Sequence, residues 1–324
     1  MGICIGVTGA SGLVGQGLCQ SLMAQGRPVR ALTRQRLGEP PDEVVVGDIN
    51  ANTHWRTALR GVDVVIHCAA RVHVMDRAAQ ADLAAFREVN THGTARLAEE
   101  AAATGVGRLI FLSSIKVNGE CASPRAPFRA EDPPRPADAY ARSKAEAESR
   151  LWTIAEKTGL EVVVIRPPLV HGAGAGGNMA TLLSAVRRGL PLPFAACNNR
   201  RSLIGLDNLI DGICHCIDTP AAAGHVWLMR DAQMPSTPDL VRYLAAALGR
   251  SPRLLPVPLP VLQAVATVTG QSQRLRRLTD SLCMDTADTQ AALGWQPPLS
   301  LEEGLRRMVG APACGATNPG QARS

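Results

Sequence analysis

Thr8-Gly9-Ala10-Ser11-Gly12-Leu13-Val14-Gly15, set between an apolar run and an amphipathic stretch, decides the fold. A strand that passes through three glycines into a helix makes a tight turn. Its backbone N–H groups then close on a pyrophosphate at the positive end of the helix. The spacing is GxxGxxG rather than GxGxxG, and a plain structural turn gives the same pattern. Its place directly after the first strand favours the phosphate cradle. Gly9, Ser11, Gly12, Leu13, Val14 and Gly15 are therefore expected to bind a dinucleotide.

Working outward, short apolar runs alternate with amphipathic stretches. Strands are predicted over Cys4–Thr8, Val29–Thr33, Val44–Val46, Val64–His67, Arg108–Ser113 and Glu161–Arg166. Helices are predicted over Leu13–Gln25, Leu83–Thr104 and Ala139–Lys157. This alternation predicts βαβ units, hence an α/β Rossmann fold with a doubly wound parallel sheet and right-handed crossovers. After Pro167 come a glycine-rich turn, a helix (Met179–Arg188), an isolated strand (His225–Met229) and further helices. They suggest a smaller C-terminal substrate domain interleaved with the sheet. The expected division is a Rossmann core over 1–167, with 200–229 returning to it. A lid follows over 168–199 and 230–310, with a disordered tail from 311 to 324.

The end of the second strand bears on the cofactor. An acidic residue there would hold a ribose 2′-hydroxyl and select NAD. This chain reads Leu32-Thr33-Arg34-Gln35-Arg36. Arg34 suits a 2′-phosphate and favours NADP(H); an arginine solvated on its turn would leave NAD(H).

The chain has two tyrosines and three lysines, yet Tyr140 and Lys144 stand one helical turn apart. Random placement gives such a pair with a chance of roughly 0.02, below the usual false-positive level of a short motif. On a helix the two share a face, so the ammonium is expected beside the phenol, shifting it toward phenolate. A solvated helix pair is the plain alternative.

The bulk properties bound the rest. The 324 residues carry a formal charge of +6, a balance that suits an anionic small molecule. Aromatics are 3% and no basic run interleaves with them, so stacking on nucleic acid is not expected. The cysteines form no CxxC pair, and Cys214-His215-Cys216 lacks the second ligand pair of a zinc site. It reads as helix, and no metal is expected. Scattered thiols and the absence of a signal-like start predict a cytoplasmic protein. No apolar run reaches the roughly 20 residues of a transmembrane helix. The nearest, Leu254–Val268, carries Pro256, Pro258 and Pro260. It reads as a buried loop entering a helix, with a membrane-surface patch as the alternative.

With the cradle and Tyr140-Ala-Arg-Ser-Lys144 established, the chain resembles the extended short-chain dehydrogenase/reductase family, its nucleotide-sugar epimerase/dehydratase group, over residues 3 to 309. The resemblance implies roles. In Gly47-Asp48-Ile49, Asp48 and its neighbour Ile49 would flank the adenine, and Ala69 and Ala70 of His67-Cys68-Ala69-Ala70 would run along the cofactor. Asn90 would serve on the cofactor side. Ser113-Ser114-Ile115-Lys116-Val117-Asn118-Gly119 resembles SSxxVYG, which makes Ser114 the catalytic hydroxyl beside Tyr140 and Lys144. Tyr140 and Lys144 would also touch the nicotinamide end. Arg166-Pro167-Pro168-Leu169-Val170-His171-Gly172 resembles RPxxVYG, with Pro167 beside the nicotinamide. Asn178, Arg201 and Arg277 are the candidates for the substrate diphosphate, since arginine's planar fork suits phosphate.

Two departures stand out. Asn118 and His171 replace the family's usual tyrosines, and Ile115-Lys116 replaces the Asp-Glu pair of dehydratases, which disfavours dehydration. Several stretches, among them Gly189-Leu-Pro-Leu-Pro-Phe194 and Leu293-Gly-Trp-Gln-Pro-Pro298, resemble bacterial enzymes of surface-polysaccharide sugar synthesis.

Three functions stay open. The expected one is NAD(P)H-dependent reduction of a 4-keto nucleotide sugar of the UDP-4-keto-6-deoxy-N-acetylglucosamine type, favoured by Arg34. The alternative is an NAD-dependent UDP-sugar 4-epimerase, which uses the same three residues. A non-catalytic NADP-binding sensor is third. A homodimer is expected through the helices over Leu83–Thr104 and Ala139–Lys157, whose small residues Ala95, Ala98, Ala101 and Ala102 permit close packing. Packing of that face against the sheet would look the same in sequence.

Overall fold

The structure, a computed structural model, describes residues 2–38, 42–72 and 82–310. The tail expected to be disordered, 311–324, lies outside the described residues.

Seven strands form one parallel sheet: β1 (Ile5–Thr8), β2 (Val29–Thr33), β3 (Glu43–Val45), β4 (Val64–His67), β5 (Arg108–Leu112), β6 (Glu161–Arg166) and, later in the chain, β9 (Val226–Leu228). Their spatial order is β3-β2-β1-β4-β5-β6-β9. The chain winds outward from β1 to β3, then starts again on the other side of β1 with β4. That reversal is the switch point where α/β sheets bind ligands. Thr8 is in register with both Leu32 and His67, so the loops after β1, β2 and β4 leave along one edge.

Both faces of the sheet are covered, as near-continuous apolar strands require. The period of two is plain in β6: Val163 and Ile165 join one core, Val162 and Val164 the other. The first core receives α1 (Leu13–Ala24) and α7 (Leu206–Asp218), with Leu293 and Trp295 from far along the chain. On the second face lie α2 (Arg56–Leu59), α4 (Thr94–Ala103) and α5 (Ala139–Thr158).

A third core is separate from the sheet. It joins α6 (Gly177–Arg187), α8 (Thr237–Ala247) and α12 (Leu301–Gly310) with Leu203 of β8 (Leu203–Gly205), which pairs in parallel with β7 (Leu169–His171). The remaining helices are α3 (Leu83–Arg87), α9 (Leu259–Val268), α10 (Ser272–Thr279) and α11 (Ala287–Leu293). A strap of extended chain stitches these parts together. Ser281 and Cys283 exchange backbone hydrogen bonds with Ala122, Cys283 and Asp285 with Phe128, and Leu282 with Arg200 and Ser202.

Three expectations change. The strand over His225–Met229 is not isolated; it becomes β9, the seventh strand, beside β6. The helix predicted over Leu83–Thr104 is broken by a π-helical turn, Glu88–Gly93, between α3 and α4. Leu254–Val268 is not buried: in α9 only Ala266 is. Ala95, Ala98 and Ala101 of α4 pack with Ala147 and Leu151 of α5, so the two helices expected to form a dimer face lie side by side. Cys214-His215-Cys216 lies within α7, as its reading as helix anticipates, and His215 Nε2 bonds the Leu293 carbonyl at 2.8 Å.

Candidate active site

The cradle is backbone in close contact with backbone. Gly9 adopts a left-handed conformation, φ +67°, and a Cβ there would stand 2.7 Å from the Ala69 nitrogen. At Gly15 a Cβ would come within 2.2 Å of the Gly9 carbonyl oxygen. Only glycine permits this closeness, which draws β1, the start of α1 and the Ala69-Ala70 loop together at the switch point. Gly12 is the N-cap of α1, and no side chain caps that end. The first N–H groups of α1, from Leu13 and Val14 onward beside exposed Ser11, therefore face outward, as a pyrophosphate requires. The cradle residues fit a dinucleotide.

Along the same edge, Arg34 and Asp48 are both exposed and stand 3.9 Å apart, a loose ion pair at the ends of β2 and β3. Ile49 packs under the π turn, where a Cβ on Gly93 would come within 2.5 Å of its Cγ2. That turn places Asn90, buried, to bridge the loop after β4 and helix α5. Its side chain accepts from the Arg71 nitrogen at 2.8 Å, donates to the Arg71 carbonyl at 3.0 Å and donates to Ser143 Oγ at 3.0 Å. A π turn inside a helix is common at functional sites because it rotates one side chain out of the regular register. Periodicity does not reveal it.

Helix α5 supplies the pair Tyr140 and Lys144. It starts where it does because Asp138 accepts from the Ala141 nitrogen at 2.7 Å, and it ends on Gly159, φ 76°. Asp138 is also held by the Lys116 ammonium at 2.6 Å. Tyr140 is half-buried with Phe86 edge-on at 6.2 Å. Burial, reinforced by the Asp138 carboxylate, pushes its phenol up to about 12, while hydrogen bonding with Ser114 opposes the rise. Lys144 is fully buried: its ammonium donates to the Leu112 carbonyl at 2.8 Å and lies 4.3 Å from the centre of the Phe111 ring. Burial pushes it down to about 8, opposed by Cys68 and Glu148.

The expected lowering of the phenol is not seen, because burial outweighs other influences on it. The shared helix face is real, yet the ammonium points to the end of β5 and the phenol is raised. Ser114 closes the group. It caps the 3-10 turn Ile115–Val117, accepting from the Lys116 nitrogen at 3.3 Å, and the next residue bonds Pro167 through Ile115 N–H at 3.0 Å. Ser114, Pro167 and α5 thus meet at the ends of β5 and β6.

The two departures from the family pattern are buried in polar networks of their own, though His171 Nδ1 has no hydrogen-bond partner among the described residues. Asn118 accepts from Arg166 at 2.9 Å and donates to the Arg129 carbonyl at 2.7 Å. Arg166 in turn grips Glu148 of α5 at 2.5 and 3.0 Å, and Ser113 donates to the same carboxylate. His171 Nε2 meets Asp231 at 2.7 Å, and Asp231 accepts from the Gly205 nitrogen and Asn208. Sequence reading finds neither network, because partners 11 to 60 residues apart leave no spacing signal. The buried His67 is a third such case, linked to Thr8 and Thr94 and held neutral by burial, down to about 3.

The three expected substrate residues come together. Asn178 at the start of α6, Arg201 before β8 and Arg277 of α10 line one cleft with Leu169, Thr237 and Leu240. Arg201 is anchored by donating to the Asp280 carbonyl at 2.8 Å. A larger hollow of about 270 Å³ lies elsewhere, under His171, Asp207 and Arg307, and its lining includes none of Ser114, Tyr140 or Lys144.

Among known proteins, the model of the NAD dependent epimerase/dehydratase family matches residues 5–229. A Vibrio cholerae protein named UDP-glucose 4-epimerase is 43% identical over 304 residues, 93% of each chain. Two crystal structures share the fold. One is the UDP-glucose 4-epimerase of Thermotoga maritima with UDP-glucose, TM-score 0.74 and 21% identity over 95% of this chain and 97% of that one. The other is the UDP-glucuronic acid 4-epimerase of Bacillus cereus with NAD, TM-score 0.74 and 20% identity over 94% and 97%. No helix among the described residues is long and apolar enough to cross a membrane. With the family model spanning well over half of its length, the chain belongs to the NAD dependent epimerase/dehydratase family and is an enzyme of that family.

Proposed function

We propose that the protein is an NAD-dependent 4-epimerase of a UDP-sugar. One observation carries this reading: 43% identity along 93% of both chains to a protein named UDP-glucose 4-epimerase. NAD⁺, when bound, supplies the acceptor and donor of hydride at carbon 4 of the sugar. Everything else falls to the chain. Gly9, Gly12 and Gly15 open the cradle for the pyrophosphate, and the N–H groups of Leu13 and Val14 donate to it. Asp48, Ile49, Ala69, Ala70, Asn90 and Pro167 line its course. Asn178, Arg201 and Arg277 hold the diphosphate of the sugar, and Ser114 hydrogen-bonds the oxygen on carbon 4.

Tyr140 takes the proton of that oxygen and returns it when the sugar has presented its other face. To act as base Tyr140 must first lose its own proton to solvent, since burial keeps the phenol protonated at neutral pH, and positive charge nearby favours that loss. Lys144, charged below about pH 8, is the chain's own cation one turn away. General acid–base work of this kind contributes about 10²–10⁴-fold.

The reductase reading rested on Arg34. Asp48, 3.9 Å away, gives that guanidinium a partner other than a 2′-phosphate, and the relative in the Bacillus cereus crystal carries NAD. The balance therefore moves to the epimerase, with NAD(H) ahead of NADP(H). Dehydration finds no support in the site, since Ile115 is buried with Leu228 and Leu282, and Lys116 is paired with Asp138.

The test is to incubate the protein with UDP-glucose or UDP-N-acetylglucosamine and follow the carbon-4 epimer by NMR. Parallel samples hold UDP-4-keto-6-deoxy-N-acetylglucosamine with NADH or NADPH. Epimer formation supports the proposal. Stoichiometric oxidation of NAD(P)H without epimerisation would replace it with the reductase in surface-polysaccharide synthesis.

A further inference from the structure

Helix α9 is unlike the rest of the surface. Val261, Val265 and Val268 are 51, 57 and 89% exposed, and their spacing puts them on one face. Leu255, 47% exposed, lies on the proline-rich segment that leads into the helix. Single exposed valines are ordinary, but a ridge of apolar side chains from one short segment marks a contact surface.

The charges carried by the segment that bears the ridge are of one sign. Between residues 240 and 279 the sequence contains no Asp or Glu, and it contains Arg242, Arg250, Arg253, Arg274, Arg276 and Arg277. Arg242 is paired with Asp239 and Arg277 lines the cleft. Arg250, Arg253, Arg274 and Arg276 are exposed. The last two stand on α10, which packs against α9.

We propose that this face docks on the surface of an anionic phospholipid bilayer. The valine ridge enters the boundary between headgroups and acyl chains, and the arginines meet the lipid phosphates. Ten residues make a helix about 15 Å long, half of what a bilayer core demands, so α9 lies along the interface and does not span it. Charge selects the occupant. Two copies of this chain meeting through α9 would press their arginines together with no acid between them, whereas an anionic headgroup layer complements them. Because α10 carries Arg277 into the cleft and Arg274 and Arg276 outside it, docking would set the substrate cleft close to the membrane. None of this depends on which sugar is turned over.

The experiment is co-sedimentation of the full chain with vesicles of phosphatidylcholine alone and of phosphatidylcholine containing phosphatidylglycerol. Binding to the anionic vesicles only is expected, and it should weaken as salt is raised. Val265→Glu with Val268→Glu should lower partitioning at least about tenfold, and Arg274→Glu with Arg276→Glu on the order of 10–100-fold. Both variants should keep the circular dichroism and unfolding midpoint of the parent, as expected for exposed positions. Equal binding to both vesicle types, binding to neither, or binding untouched by both variants overturns the proposal. So does concentration-dependent self-association that Val268→Glu abolishes, which would assign the face to a second copy.

Discussion

The cradle at the switch point and the cleft between α6, α8 and α10 are built by opposite means. In the proposed function the cradle recognises with backbone: glycines remove side chains, and an uncapped helix end faces the ligand. The cleft would recognise with side chains, Asn178, Arg201 and Arg277, drawn from three separate segments. A backbone site accepts one ligand shape and tolerates no added atom. A side-chain site can be retuned one residue at a time. The proposed chemistry falls to a third element, α5, through Tyr140 and Lys144.

The strongest way to break this division is at α5. Tyr140→Phe should lower turnover by about 10²–10⁴-fold while cofactor binding, measured by fluorescence titration, is retained. Loss of both together would mean that the phenol also supports the cradle. Next comes the cradle: Gly15→Ala places a methyl 2.2 Å from a carbonyl oxygen that cannot retreat without moving β1. A loss of NAD affinity on the order of 100-fold is expected, and unchanged affinity would show that the cradle is less rigid than its contacts imply. In the cleft, Arg201→Ala or Arg277→Ala should raise KM for the UDP-sugar about 10–100-fold, with kcat and NAD affinity little changed. A fall in kcat alone would move these arginines from binding into the chemical step.

The smallest effect is on stability and has a definite sign. Lys144 falls from its ordinary 10.5 to about 8 in the folded protein, so its charged form disfavours folding. Below pH 8 both states carry the proton and the full penalty applies. Between about 8 and 10.5 the unfolded chain binds the proton more, so stability rises with pH. Lys144→Met should therefore gain stability relative to the parent at pH 7, on the order of 3 kcal/mol. The gain should shrink toward pH 10 in urea unfolding, and a pH-independent difference would mean that Lys144 is better solvated than its burial implies.

The cradle half was largely legible because its signals are local. The predicted bounds of Val29–Thr33, Val64–His67 and Glu161–Arg166 coincide with β2, β4 and β6. Others were read a residue or two long: β5 ends at Leu112, one residue short of the predicted Ser113, and β9 spans Val226–Leu228 within the predicted His225–Met229. Beyond Pro167, motif resemblance found Asn178, Arg201 and Arg277, and the structure sets them in one cleft.

What escaped was the third dimension of single side chains. Lys144 shares a face with Tyr140 as its spacing requires, yet its long stem carries the ammonium to the Leu112 carbonyl. Asn118 and His171 looked like losses of pocket tyrosines, whereas they are hubs of buried polar networks. The apolar run at Leu254–Val268 looked like core because hydrophobicity shows preference for leaving water, not whether the chain itself provides the cover. The π turn at Asn90 could not be read from a period of 3.6 that it interrupts by one residue.

The strap at 281–285 limits how such a protein can be rebuilt. Its backbone is tied on one side to Ala122 and Phe128 and on the other to Arg200 and Ser202, while Leu293 and Trp295 just beyond it complete the core under the sheet. A chimera joined at Pro167, taking its first part from one relative and its second from another, would have to rebuild the strap, that core and β9 at once. Modular exchange along this chain is better sought in loops than in halves.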